Sequence, residues 1–111
     1  MTILIGYEWR QAVKVTGTPP AFPAGVALAG QVRVTSAHGR LVATLTTANG
    51  GIVREADDEV TLVIPESATE DLHEGAVVVD IVRTDLDPPA HFGFQLRVPV
   101  RMPSSRRGEI A

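Results

Sequence analysis

From Phe92 to Met102 the chain alternates without a break. Phe92, Phe94, Leu96, Val98, Val100 and Met102 stand at every second position, with Gly93, Gln95, Arg97, Pro99 and Arg101 between them. Successive side chains of an extended strand point to opposite faces, so a period of two is what a half-buried strand requires. A helix would scatter the same residues around its circumference. Pro99 belongs to the outward set and has no amide hydrogen for a ladder bond, which predicts an edge strand or a bulge there.

The rest of the chain repeats this grammar. Val26, Leu28, Gly30, Val32 and Val34 alternate with Ala27, Ala29, Gln31, Arg33 and Thr35, His38-Gly39 supplies a turn, and Leu41, Ala43 and Leu45 continue in a second strand. Asn49-Gly50-Gly51 is a strong turn signal because both residue types tolerate positive φ. Ile52-Val53 opens a short strand, and the acidic run from Glu55 to Glu59 separates it from Val60, Leu62 and Ile64. After Gly75, Val77, Val79, Ile81 and Arg83 share one face while Val78, Asp80 and Val82 share the other. A strand apolar on both faces is expected at the centre of a sheet. Gln11, Val13 and Val15 suggest a strand near the front, and Gly17 to Gly25, with Pro19, Pro20 and Pro23, reads as a loop. One segment looks helical: Pro65 to Leu72, with Pro at the start, acids in the first turns and Gly75 after the end.

Short strands punctuated by turns, without alternating long helices, predict an all-β fold. The expectation is an immunoglobulin-like antiparallel sandwich of about seven strands with one short helix. At 111 residues there is room for one core. Residues 1–102 are expected to form it, with 103–111 a flexible tail. Aromatics are scarce (Tyr7, Trp9, Phe22, Phe92 and Phe94), so the interior must be built from Val, Leu, Ile and Ala, whose branched members favour strands.

A net charge of -3 disfavours a nucleic-acid binder, which needs a basic field to displace counterions from phosphates. The absence of cysteine excludes disulfides and thiolate metal sites. The start, MTILIGYEWR, lacks the positive charge of a signal peptide and the length of a membrane span, so synthesis in the cytoplasm without export is expected.

Candidate chemistry is thin. The serines fall at turns, in the helical segment and in the tail, and no Gly-x-Ser-x-Gly elbow occurs. His38, His73 and His91 lack partners at metal-ligand spacing. Asp57-Asp58-Glu59 and the pair Asp85, Asp87 lack the alternating ligands and central glycine of a calcium loop, and read as solvated charges flanking strands. Glu66, Glu70, Asp71 and Glu74 read as the exposed side of the helical segment, and Arg106-Arg107 as a solubilising terminus. Asp80, alone in an apolar strand, needs a partner such as Arg33 or Arg97, strong hydrogen bonds, or an exposed edge position. No catalytic, cofactor-binding or metal-binding residue is therefore expected, and no cofactor.

Three linked pieces nonetheless resemble one family. Leu28-Ala29-Gly30-Gln31-Val32-Arg33-Val34 is a strand with a small residue and a basic one. Val60 to Ile64 runs into the acidic, Thr-containing segment Pro65 to Leu72. Gly75 to Thr84 carries Asp80 and is followed by the Phe/Val alternation of Phe92 to Met102. Together, residues 26 to 102 resemble β-sandwich domains of tailed-bacteriophage tail and baseplate proteins, such as the N-terminal domain of the upper baseplate protein of lactococcal phages. The family usually has aromatics where Val77 and Val79 stand, and Gly17 to Gly25 matches it poorly. The resemblance implies a non-enzymatic virion subunit at a tail or baseplate, a head-to-tail joint or a capsid surface. Its partners would be other virion proteins and further copies of itself, without nucleic acid or membrane. Arms such as Met1 to Gly6 and Pro103 to Ala111 would then order against neighbours. The alternative is an immunoglobulin-like adhesion module that recognises a host protein or carbohydrate, for which exposed loop aromatics would speak. A small enzyme or metal protein is the third reading.

Overall fold

The strand expected at the C-terminal end is there and is the longest in the molecule. In the computed structural model, which describes residues 1–106, it spans Ala90–Arg101 (β8). Before it in chain order come β1 (Ile3–Leu4), β2 (Trp9–Lys14), β3 (Leu28–Val34), β4 (Leu41–Thr46), β5 (Ile52–Ala56), β6 (Glu59–Ile64), the single turn of helix α1 (Glu66–Thr69) and β7 (Gly75–Arg83). A five-stranded sheet has the order β1-β8-β7-β3-β4, and a three-stranded sheet the order β2-β6-β5. The all-β, two-sheet sandwich expected from the periodicity is therefore the fold. Among the described residues it has eight strands rather than about seven, and one pairing breaks the antiparallel rule. β1 lies parallel to β8, with Ile3 opposite Val100 and Leu4 opposite Arg101. A two-residue strand is too short to show alternation, so periodicity could not reveal it.

The core lies between the sheets and is almost wholly aliphatic. Leu28 and Val32 of β3, Val77, Val79 and Ile81 of β7, and Val98 and Val100 of β8 face Val60, Leu62 and Ile64 of β6, all essentially inaccessible to solvent. Phe22 is completely buried although it sits in the proline-rich loop. Its amide donates to the Asp57 carbonyl at 2.9 Å, and its ring packs on Phe92 with centroids 5.2 Å apart. The segment from Met1 to Gly6, expected as an arm reaching for neighbours, instead sends two side chains into the core while Met1, Thr2 and Leu4 stay exposed. Ile3 is fully buried and Ile5 nearly so. Burying an Ile side chain stabilises by about 1.5–3 kcal/mol, enough to offset the entropy of fixing a residue or two.

Two local features modify the expected pattern. A bulge between Val32 and Arg33 shifts the pairing with β4, so Leu41 is exposed while Val42 packs against the core. Asn49-Gly50-Gly51 turns the chain as expected, yet it carries it from the large sheet to the small one rather than closing a hairpin. The Asn49 side chain accepts from the Thr46 and Gly51 amides (2.9 and 2.8 Å) and donates to the Thr44 carbonyl (2.9 Å), satisfying backbone groups that a change of sheet leaves without ladder partners.

Thr69 is the buried polar residue of the interior. Its hydroxyl donates to the Tyr7 carbonyl at 2.9 Å and accepts from the Gly6 amide at 3.2 Å, clipping the chain between β1 and β2 onto α1. Further along the expected tail, Tyr7 donates its phenolic proton to the Ser105 carbonyl at 2.7 Å. Residues 107–111, including Arg107 of the basic pair, lie outside the described residues.

Candidate functional site

β7 occupies the middle of the large sheet, between β8 and β3, as its double-sided apolar pattern predicted. Its inward residues meet the small sheet. Its outward residues, Val78, Asp80 and Val82, have no second layer above them and, apart from Ala29 beside Val82, are flanked across the ladder by longer side chains. Register places Val78 between Arg33 of β3 and Arg97 of β8, Asp80 beside Gln95, and Val82 between Ala29 and His91. Val78 is nonetheless only 8% exposed. Arginine stems commonly cover apolar surface while their charged ends stay in water, and the flanking guanidinium groups suit that role. The result is a face of polar side chains around a central apolar strand, built on paired strands.

The arginines are oriented rather than free. Arg33 donates Nη1 to the Gly39 carbonyl at 3.1 Å and Nη2 to the Gln31 Oε1 at 2.8 Å. Arg97 donates Nη1 to the Thr35 carbonyl at 2.9 Å. Thr35 has φ of 68°, a left-handed conformation costly for a β-branched residue, so the turn that positions both guanidinium groups is held under strain. A depression of about 310 Å³ opens on this face, lined by Gln31, Arg33, Ala37, Val78, Asp80 and Gln95.

Asp80 does not pair with Arg33 or Arg97. Its Oδ2 lies 2.8 Å from Nε2 of His91. The cause is a second bulge: Asp80 faces Gln95 while Val82 faces His91, so β8 carries extra residues around Gly93, whose φ is 84°. Such a bulge re-aims side chains, here bringing His91 over Asp80. The Gly93 amide donates to His91 Nδ1 at 2.8 Å, which leaves Nε2 to carry the proton and donate it to Asp80. Both ring nitrogens are thus engaged. The pair pins the bulge and offers no vacant base.

Other residues singled out in the sequence fall elsewhere. His38 and His73 both line a cavity of about 380 Å³, together with Ser36, Arg40 and Glu74. Among the described residues, no group of three or more His, Asp or Glu side chains is placed to hold a metal ion. Asp57 pairs with Arg54, and Asp58 lies 3.7 Å from Lys14, so the acidic run is a β5–β6 hairpin with partly compensated charge. Arg83 grips Asp85 through Nε at 2.8 Å and Nη2 at 3.1 Å. These hydrogen bonds hold the Asp85 carboxyl below the ordinary carboxylate range and push the Arg83 guanidinium up. Asp87 and Asp71 are exposed, as are Glu66, Glu70 and Glu74 around α1. Of the aromatics that a sugar-binding reading would want at the surface, Trp9 is buried at 5% exposure.

The free side of β8 is the other notable surface. β1 covers it at Val100 and Arg101. The Arg101 carbonyl accepts the Ile5 amide at 3.0 Å, so its backbone groups face away from β7. Strand alternation puts those of Pro99, Arg97 and Gln95 on that same side. The missing amide hydrogen of Pro99 therefore costs the sheet no internal bond. β8 is not the edge strand that Pro99 suggested, since the short β1 flanks it, but Pro99 sits where that cover begins. Phe92, Phe94 and Leu96 are only partly buried along this margin. Comparison with known proteins adds no relative: no family model, no curated protein and no solved structure matches the chain.

Proposed function

We propose that this protein is a non-enzymatic structural subunit of a tailed-phage virion, joined to its neighbours through the unpaired margin of β8. The observation that carries the reading is the contrast between the length of β8 (12 residues) and the two-residue strand that caps it. Gln95 and Arg97 direct backbone donors and acceptors outward beside partly buried Phe94 and Leu96. An edge of this kind is a template for strand addition, where main-chain bonds give affinity and alternate side chains give fit. The assignment to a phage particle rests on the sequence motifs in residues 26 to 102 that resemble phage baseplate sandwiches.

The test is Gln95→Pro. Proline at a position whose amide faces the free edge removes a donor needed by a neighbour while leaving the β7 ladder intact. Light scattering across a concentration series, with circular dichroism to check folding, should show wild-type self-association that the variant loses. Association unaffected by the proline would refute use of this edge.

A further inference from the structure

Charge is divided unevenly between the two sheets. On the outer face of the large sheet, Arg33 of β3 and Arg97 and Arg101 of β8 stand against the single acid Asp80, while Arg83 shares the inward alternation of Val77, Val79 and Ile81 and is held by Asp85. The hairpin of β5 and β6 carries Glu55, Asp57, Asp58 and Glu59 against Arg54. The outer face of the large sheet is therefore net positive, and the hairpin turn of the small sheet net negative. The molecule as a whole is acidic, so its basic face is not a by-product of overall composition.

We propose that the outer face of the five-stranded sheet receives the acidic β5–β6 turn of a second copy of this chain. The inference rests on the structural-subunit reading above and names a further contact for it. A guanidinium has five N–H donors. Arg33 uses two of its nitrogens on Gly39 and Gln31, and Arg97 one on Thr35, so each retains donors held in a fixed orientation. Their backbones stand on either side of Val78, and Arg97 reaches across it to the Thr35 carbonyl while Arg33 reaches the Gly39 carbonyl, so both guanidinium groups gather at the turn that follows β3. That grouping suits consecutive carboxylates on a tight turn, and the depression beside Val78 gives the turn somewhere to seat. On the donor side, Asp57 is 65% exposed and Asp58 40% exposed at the side chain. Their existing partners, Arg54 and Lys14, form surface ion pairs of the kind worth only about 0–1 kcal/mol, so exchanging them is cheap.

The two surfaces lie on different sheets of the same molecule. Each copy can give its turn to one neighbour and receive another's, a heterologous contact that closes into a ring or runs on as a filament. Four strands by three same-face rows offer roughly 400 Å² per partner, about half of a standard interface. The contact is consequently weak for an isolated pair, salt-sensitive, and effective when many copies are held together.

The experiment uses the full chain in sedimentation velocity at high protein concentration, at about 20 mM and about 500 mM salt. Two charge-reversed variants are compared: Arg33→Glu with Arg97→Glu on the face, and Asp57→Arg with Asp58→Arg on the turn. Circular dichroism and melting curves establish that each folds. Wild type should associate, and the higher salt should weaken it at least about tenfold. Each variant alone should lose association to a similar degree. An equimolar mixture should regain it, because each supplies the surface complementary to the other's. Wild-type association that ignores salt and both variants overturns this contact while leaving the β8 edge, tested by Gln95→Pro, untouched. A wild type that stays monomeric in every condition overturns it as well, and takes the proposed edge contact with it. A mixture that fails to recover, although both variants are folded, rejects the turn-on-face geometry.

Discussion

Replacing Thr69 by Val should destabilise the protein more than replacing it by Ser, although Val is nearer in shape. The Thr69 hydroxyl serves two backbone groups of the segment linking β1 to β2: it donates to the Tyr7 carbonyl at 2.9 Å and accepts from the Gly6 amide at 3.2 Å. The Glu66 carbonyl, 3.1 Å away, already receives the Glu70 amide of α1 and does not depend on it. Val keeps the branched outline, so the packing change is small, but an amide and a carbonyl are left without partners. Each such loss costs about 1–3 kcal/mol when buried, and these sites are partly buried, so about 2–4 kcal/mol is expected in total. Ser keeps both hydrogen bonds and loses one methyl, about 1 kcal/mol. In urea, with a slope of about 1–3 kcal/mol/M, the midpoint should fall by roughly 1–2 M for Val and by well under 1 M for Ser. Amide exchange offers a local readout, since the Gly6 amide should lose protection in the Val variant alone. A Val variant as stable as the Ser variant, or unchanged exchange at Gly6, would refute the view that this hydroxyl fastens the N-terminal segment.

Three further outcomes follow from the geometry. A Cβ at Gly30 would lie 2.2 Å from the Asp80 carbonyl oxygen, so Gly30→Ala must push β3 and β7 apart; a loss of about 1–3 kcal/mol and a melting point lower by at least about 5 °C are expected, and a shift within about 2 °C would contradict this. Ile3→Ala should cost about 2–5 kcal/mol by calorimetry or denaturation because Ile3 is fully buried, whereas a dispensable arm would show almost none. The Asp85 carboxyl should titrate by NMR below 3.8, chiefly through its hydrogen bonds from Arg83, and Arg83→Met should return it toward that value. Since the folded-state value is the depressed one, this pair's contribution is present above the unfolded carboxylate value and is lost as the pH falls through the folded one.

Much of the framework was legible from alternation, because period two reports directly on which side chains face the core. Phe92 to Met102, Val26 to Val34 and Val77 to Val82 announced strands, and the two-sided apolar character of β7 announced its central place. Pro99 suggested an edge strand or a bulge, yet β8 lies second in its sheet because β1, too short to read from the sequence, flanks it at Val100 and Arg101. The less regular residues were harder to read. Phe22 anchors the core from a loop that has no period, and Ile3 does so from a strand too short to display one. For the same reason Met1 to Gly6 was expected to be an arm.

The linear order of residues determined the fold class, the aliphatic interior and the position of most turns, since these depend on local periodicity and on backbone preferences of Gly, Pro and Asn. Only the assembled structure decided which charges meet. Asp80 finds His91 rather than an arginine because a bulge near Gly93 redirects one strand against its neighbour. Arg33 and Arg97, far apart in the chain, come to flank Val78 because antiparallel pairing brings β3 and β8 to either side of β7. Pairing between distant strands is set by the packing of the whole core, and no local pattern encodes it.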